Sequence, residues 1–267
     1  MSKRKAYSEL TFTDDFMFCK VLSQNLNLCK ELLELVLGIK IRQIGLIQPQ
    51  MPIEEKYDAR GIRLDVYVED GAGAVYDVEM QVTPQSDLPK RTRYYQGMID
   101  LNLISRGAHF KELKKSYVIF ICAFDPYGKG RAVYTFENVC REDPSVKLGD
   151  ETVKVMLNVG GDRDGLSNDL CSLLDFLQNG VANSEFTKEL KNAVSDAKEH
   201  KEWEVEYMTM FMKIQEERED AQIEQIIETG RKYHASEDDI LNDLMSKFHL
   251  SKEDALKRIE EYDLQPA

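Results

Sequence analysis

The chain has 267 residues, 42% of them hydrophobic and 9% aromatic, enough apolar material for one large or two small globular domains. Its longest apolar run, "YVIFICAF", is far shorter than the roughly 20 residues a spanning helix needs, and the basic start "MSKRKAYSEL" has no apolar segment behind it. These features exclude an evident membrane span or secretory leader and lead us to expect a soluble, cytoplasmic protein.

The five cysteines, Cys19, Cys29, Cys122, Cys140 and Cys171, are odd in number and lack metal-ligand spacing, so they read as buried free thiols in a reducing compartment. The four histidines lack it too and read as surface or cap residues. A net charge of −13 argues against a nucleic-acid partner for the chain as a whole, but the charge is unevenly spread. Residues 1–184 carry 23 Lys and Arg against 26 Asp and Glu, whereas residues 185–267 carry 12 against 22. Residues 88–131 reverse the sign, with nine basic residues against three acidic, so a local positive surface can coexist with an acidic tail.

In chain order, Thr13 reads as an N-cap for "DDFMFCKVL", and "LCKELLELVLG" places Leu28, Leu32, Leu35 and Val36 on one helical face with Gly38 as the stop. The segment carrying Pro49 and Pro52 reads as a loop. The next two runs, in "RLDVYVEDGAGAVYDVEMQV", read as a hairpin. With Gly71-Ala72-Gly73 as a three-residue turn, Asp70 faces Ala74, and counting back sets Asp65 opposite Glu79. Side chains alternate along a strand, so Glu79 and Gln81 share one face with Asp65. "LPKRTRYYQGMIDLNLISRG" reads as an amphipathic helix with Tyr94, Met98 and Leu101 inward and Arg93, Gln96 and Asp100 on a different face. "KKSYVIFICAF", "RAVYTFENVC" and "TVKVMLNVG" read as strands, the first apolar on both faces as a central strand should be.

From Ser184 the composition turns helical and acidic, which divides the chain into an α/β domain over residues 1–183 and a helical C-terminal extension over residues 184–267. Met208, Met210, Phe211, Met212 and Ile214 are expected on a buried helix face. Two capped segments, "SEDDILNDLMSKF" and "SKEDALKRIEEY", read as a helix pair after a hinge near Gly230. The pair resembles a helix-turn-helix, but the acidic second helix would repel phosphates.

Asp65, Glu79 and Gln81 admit two readings. One is the water-facing side of a ribbon, to which Arg63 and Tyr67 would also belong. The other is a metal site, in which two carboxylates on neighbouring strands hold a hard cation such as Mg²⁺ and the amide two residues on aims a water. No third acid at strand spacing stands out beside them.

"LDVYVEDGAGAVYDVEMQ" resembles the D…ExQ form of the PD-(D/E)XK motif, with Gln81 where Lys is more common. Together with "TDDFMFCKVL", "RTRYYQGMID" and "YVIFICAFDPYG", it is similar to the PD-(D/E)XK nuclease family transposases, or recombination-promoting nuclease-like proteins, over approximately residues 10–180. The resemblance implies a restriction-endonuclease-like α/β core, a mixed central sheet flanked by helices. It further implies Mg²⁺- or Mn²⁺-dependent DNA endonuclease activity connected with mobile elements or recombination. Asp65 and Glu79 would hold the metal, Gln81 would position the attacking water, and Asp15 would add an outer metal contact or serve its own helix. Lys90, Arg91, Arg93 and Gln96 would meet DNA, with Lys90 or Arg91 supplying the charge Gln81 lacks, while Tyr95 belongs to the core. Cutting both strands calls for two sites, hence a homodimer. The alternative is a non-catalytic binding or regulatory protein on the same fold.

Overall fold

The computed structural model describes residues 5–53 and 62–264. The chain divides into two compact units, Met1–His200 and Lys201–Ala267. The first contains helices α1 (Asp15–Gln24), α2 (Leu26–Leu37), α3 (Leu88–Leu103), α4 (Asn168–Asn179) and α5 (Glu185–Glu199). Its strands are β1 (Ile44–Ile53), β2 (Ile62–Asp70), β3 (Val75–Gln81), β4 (Ser116–Cys122), β5 (Val133–Phe136) and β6 (Thr152–Asn158). They form one mixed sheet in the order β1-β2-β3-β4-β6-β5. The first three strands are antiparallel, β3, β4 and β6 are parallel, and β5 returns antiparallel along the far edge. A mixed sheet flanked by helices is the restriction-endonuclease-like α/β architecture. The composition boundary at Ser184 and the compactness boundary at His200 differ by α5, whose Phe186, Leu190 and Val194 are buried.

The hairpin pairs in the expected register, with Val66 against Val78 and Glu69 against Val75. Gly73 has φ 86°, and the Asp70 N–H donates to the Ala74 carbonyl at 3.0 Å. Every residue of β3 and β4 is buried, so these are the central strands. The segment with Pro49 and Pro52 is a strand, not a loop. It pairs only with β2, and an edge strand tolerates residues without an N–H to donate.

The N-cap position of α1 is Asp14 rather than Thr13, its carboxylate turned back to Thr11 and Lys5 instead of capping the helix, and α2 ends where expected, on Gly38 at φ 65°. Helix α3 buries Leu88, Thr92, Tyr95, Met98 and Ile99 against β3 and β4, while Tyr94 and Leu101 stay exposed. The expected apolar stripe is thus rotated, and Tyr95 is core, as expected.

The second unit consists of α6 (Lys201–Lys232), α7 (Glu237–Phe248) and α8 (Lys252–Asp263). Ser236 and Ser251 cap α7 and α8, accepting from the N–H groups of Asp239 and Asp254. Ile223 and Ile227 of α6 pack with Ile240, Leu241 and Leu244 of α7 and with Ala255 and Ile259 of α8. Gly230 is no hinge. It lies inside α6 where Ile240 of α7 presses so closely that a Cβ would fall 2.5 Å from Cγ1. The expected buried methionine face is not realised either, since Met208 and Met212 are exposed by 39% and 58%.

Candidate active site

The site forms where the β2–β3 ladder gives out. Main-chain pairing ends at Val66 and Val78, and beyond it side chains replace the ladder bonds. The Asp65 N–H donates to Glu79 Oε1 at 2.9 Å, and the Met80 N–H donates to Asp65 Oδ2 at 3.1 Å. Leu64 joins the same core cluster as Tyr67, so strict strand alternation is broken between them, at the point where Asp65 leaves the ladder.

These polar groups are not the wet side of a ribbon. Asp65 and Gln81 are 9% exposed, Glu79 2% and Tyr67 1%, because α3 lies over that face. Strand alternation adds Asp77, which is completely buried and whose carboxylate oxygens receive no hydrogen bond from backbone or neutral side chains. The group facing it is the Glu79 carboxyl. Asp77 is therefore the third acid at strand spacing that had not stood out in the sequence, although its parity with Glu79 was the available signal.

Crowding sets the electrostatics. Burial first, then the charges of Glu79 and Asp15, raise the Asp65 carboxyl well above the usual range. Burial and the charge of Asp65 raise Asp77, and burial and Asp77 raise Glu79, against the pull of the Asp65 N–H and Arg91. Each carboxylate makes its neighbour harder to ionise, the condition that a bound cation relieves.

Arg91 of α3 reaches into this cluster. One guanidinium nitrogen lies 3.5 Å from Glu79 Oε2, another donates to Gln81 Oε1 at 3.0 Å and to Gln85 Oε1 at 2.5 Å, and Tyr95 Oη accepts at 2.8 Å. The cation also lies 5.3 Å from the ring centroids of Tyr95 and Phe120, which fix its plane. Lys90 and Arg93 are exposed along the same helix. Gln96 is not on an exposed face as expected. It falls on the buried side of α3 and donates to Ser116 Oγ at 2.7 Å and to Asp100 Oδ1 at 3.1 Å, which fastens the helix to β4.

From the other side, α1 brings Asp15 and Cys19. The Cys19 thiol donates to the Asp65 carbonyl at 3.2 Å and lies 3.7 Å from Asp15 Oδ1, while Arg63 stands 3.6 Å from Asp15 Oδ2. One ligand atom each from Asp15, Cys19 and Asp65 lie within 4.8 Å of one another. All five cysteines are free thiols; Cys19, Cys29 and Cys122 are buried, while Cys140 and Cys171 are partly exposed. The donor set of carboxylate oxygens, crowded until its members resist ionisation, fits a hard divalent cation.

An acid pair at the open end of a hairpin in a mixed sheet, with a helix laid across it, defines a nuclease-like α/β protein. Residues 12–139, a little under half of the chain, match the family model described as PD-(D/E)XK nuclease family transposase. The match supports a nuclease-like role, and PD-(D/E)XK nucleases generally use divalent metal ions. No curated protein and no solved structure gives a significant match to the chain. Among the described residues, no helix is long and apolar enough to cross a membrane.

Proposed function

We propose that the chain is a divalent-metal-dependent DNA endonuclease whose first unit carries the chemistry and whose residues 201–267 form an extension. The observation that carries this reading is the set of acids, Asp15, Asp65, Asp77 and Glu79, brought to one end of the β2–β3 hairpin with Gln81 and Arg91 beside them. Asp65 and Glu79 would hold Mg²⁺ or Mn²⁺, with Asp15 as an outer contact. When bound, such an ion lowers the pKa of a coordinated water and offsets charge developing at phosphorus.

The chain's own groups do the rest. Gln81 gives its Oε1 to Arg91, so it presents the amide N–H groups to a water or a phosphate oxygen. Arg91, rather than exposed Lys90, supplies the positive charge that Gln81 lacks, because it alone of the two meets Glu79 and Gln81. Lys90 and Arg93 would contact the DNA backbone from the exposed side of α3, where their role is sequence-independent attraction. Duplex cleavage calls for two such sites, and a homodimer would provide them.

The test is incubation of plasmid and single-stranded DNA with the full chain and Mg²⁺ or Mn²⁺, comparing wild type with Asp65→Ala and Glu79→Gln. Cutting by wild type alone is expected, together with calorimetric Mg²⁺ uptake that both variants lose. Equal cutting by all three proteins would overturn the reading. DNA retention without ion uptake or cutting would instead assign the fold a binding role.

A further inference from the structure

Cys19 is a soft donor placed among hard ones. It follows Asp15 by four residues on α1, so the two side chains share one helical face, and the open end of the hairpin delivers Asp65 to that face. Mg²⁺ gains nothing from sulfur, whereas zinc-class ions are held by thiolate and carboxylate together. The spacing suits them. With Zn–S near 2.3 Å and Zn–O near 2.1 Å, a tetrahedral centre sets its sulfur and oxygen ligands about 3.6 Å apart. Cys19 Sγ and Asp15 Oδ1 are 3.7 Å apart, and the Asp65 ligand atom completes the triangle within 4.8 Å.

The same end of the hairpin holds a buried acid without a compensating donor: Asp77 has no exposed surface, and neither of its carboxylate oxygens accepts a hydrogen bond from backbone or a neutral side chain. The contacts of Arg91 go to Glu79 and Gln81, while on the Asp65 side the neighbouring cation is the half-exposed Arg63, 3.6 Å from Asp15 Oδ2, which a bound ion would displace.

We propose that Asp15, Cys19 and Asp65 form a site for a thiophilic divalent ion, Zn²⁺ or its analogues Co²⁺ and Cd²⁺, which competes with the oxygen-seeking ion for Asp65. Occupancy breaks the Cys19 S–H bond, forms one sulfur–metal bond and releases one proton to solvent, with no change of oxidation state. The site would act as a brake, because a carboxylate that shares its charge with the thiophilic ion holds the oxygen-seeking ion less tightly. The competition, though not the thiolate site itself, rests on the metal-dependent reading above.

The experiment uses the full chain, reduced and stripped with chelator, with Cys140→Ser and Cys171→Ser introduced to remove the two partly exposed thiols. Titration with Co²⁺ should produce a thiolate-to-cobalt charge-transfer band saturating at one ion per chain, which Zn²⁺ abolishes. Cys19→Ser should erase the band and weaken Co²⁺ binding at least ~10-fold, and Asp15→Asn should weaken it in the same direction. Absence of the band, or its persistence in Cys19→Ser, would overturn the proposal. Should Cys19→Ser fail to fold, zinc-edge X-ray absorption of the protein that retains Cys19 decides: one sulfur near 2.3 Å supports the site, and an all-oxygen shell sinks it. Calorimetric Mg²⁺ uptake by the wild-type chain separates the two ideas. Uptake without a cobalt band defeats only this inference, whereas a cobalt band with neither Mg²⁺ uptake nor Mn²⁺-supported cutting defeats the metal-dependent nuclease reading and leaves the thiolate site standing.

Discussion

Replacing Arg91 with methionine keeps much of the side-chain stem and removes the cation, so it isolates what the guanidinium does among the acids. The ion pair with Glu79 spans 3.5 Å, with Glu79 2% exposed and Arg91 22%. At an effective dielectric constant of about 20, Coulomb attraction at that distance is roughly 5 kcal/mol before desolvation is counted. Removing one partner of a buried pair costs about 3–5 kcal/mol, and the partial exposure of Arg91 places the expected loss near the lower end, about 3 kcal/mol. For a unit of this size that is a fall in melting temperature on the order of 6–12 °C. The pH dependence has a definite sign. Glu79 is raised above its ordinary value of 4.5 by burial first and then by Asp77, and losing Arg91 raises it further. A raised acid contributes stability that is present below the unfolded value and lost as pH rises through the folded one. The deficit of Arg91→Met should therefore be smallest in acid, where Glu79 is protonated in both proteins, and grow as pH rises through the raised value of Glu79. Thermal unfolding followed by circular dichroism in chelator, across about pH 4 to about pH 8, measures it. Arg91→Met with Gln81→Lys should recover part of the loss by returning a cation to the face of β3 that carries Glu79. A variant as stable as wild type at neutral pH, or a deficit that grows on acidification, would refute the argument.

Asp77→Asn should stabilise the chain at neutral pH by at least about 1 kcal/mol, since it removes a buried acid whose ionisation burial and Asp65 both oppose. The gain should vanish below the ordinary value of 3.8, where the acid is protonated in both states, and denaturant midpoints at low and neutral pH read it directly. Gly161→Ala should cost about 3 kcal/mol in chemical denaturation, because the added Cβ would fall 2.5 Å from the Ala132 nitrogen and 2.6 Å from the Arg131 carbonyl carbon, both of them backbone. Gly230→Ala meets only the Ile240 side chain, so overpacking of about 1–3 kcal/mol is partly offset by about 1 kcal/mol of helix propensity. Combining it with Ile240→Ala, which removes both Cγ1 and Cδ1, should relieve the overlap, so that in thermal melts the double variant loses less than the two single losses added together.

The parts legible in the sequence were those fixed by local chemistry. The Gly71-Ala72-Gly73 turn set the register, and the register brought Asp65 and Glu79 together, because a three-residue loop leaves little choice of pairing. Gly38, Ser236 and Ser251 punctuated helices for equally local reasons. What failed depended on neighbours distant in sequence. Prolines 49 and 52 argued for a loop until β1 proved to be an edge, where a missing donor costs nothing. The methionines of α6 looked like a core stripe because periodicity shows that a face exists without showing what covers it. Gly230 looked like a hinge because glycine signals freedom and close approach alike, and only Ile240 tells them apart.

The site divides along the same line. Parity along β3 places Asp77, Glu79 and Gln81 on one face, but parity cannot say whether that face is wet, and the difference reverses the meaning of every charge on it. Exposed, Asp77 and Glu79 would be ordinary solvated acids. Covered by α3, they become groups that oppose one another's ionisation, and Arg91 becomes the counter-charge on which that arrangement depends. Lys90 and Arg91 were equal candidates in the sequence because one residue separates them. On a helix one residue is about 100° of rotation, enough to send one cation to solvent and the other between Glu79 and Gln81. On the proposed nuclease reading, Arg91 would balance the departure from the common lysine of the motif from ten positions away, through the packing of a helix on a sheet that no local pattern records.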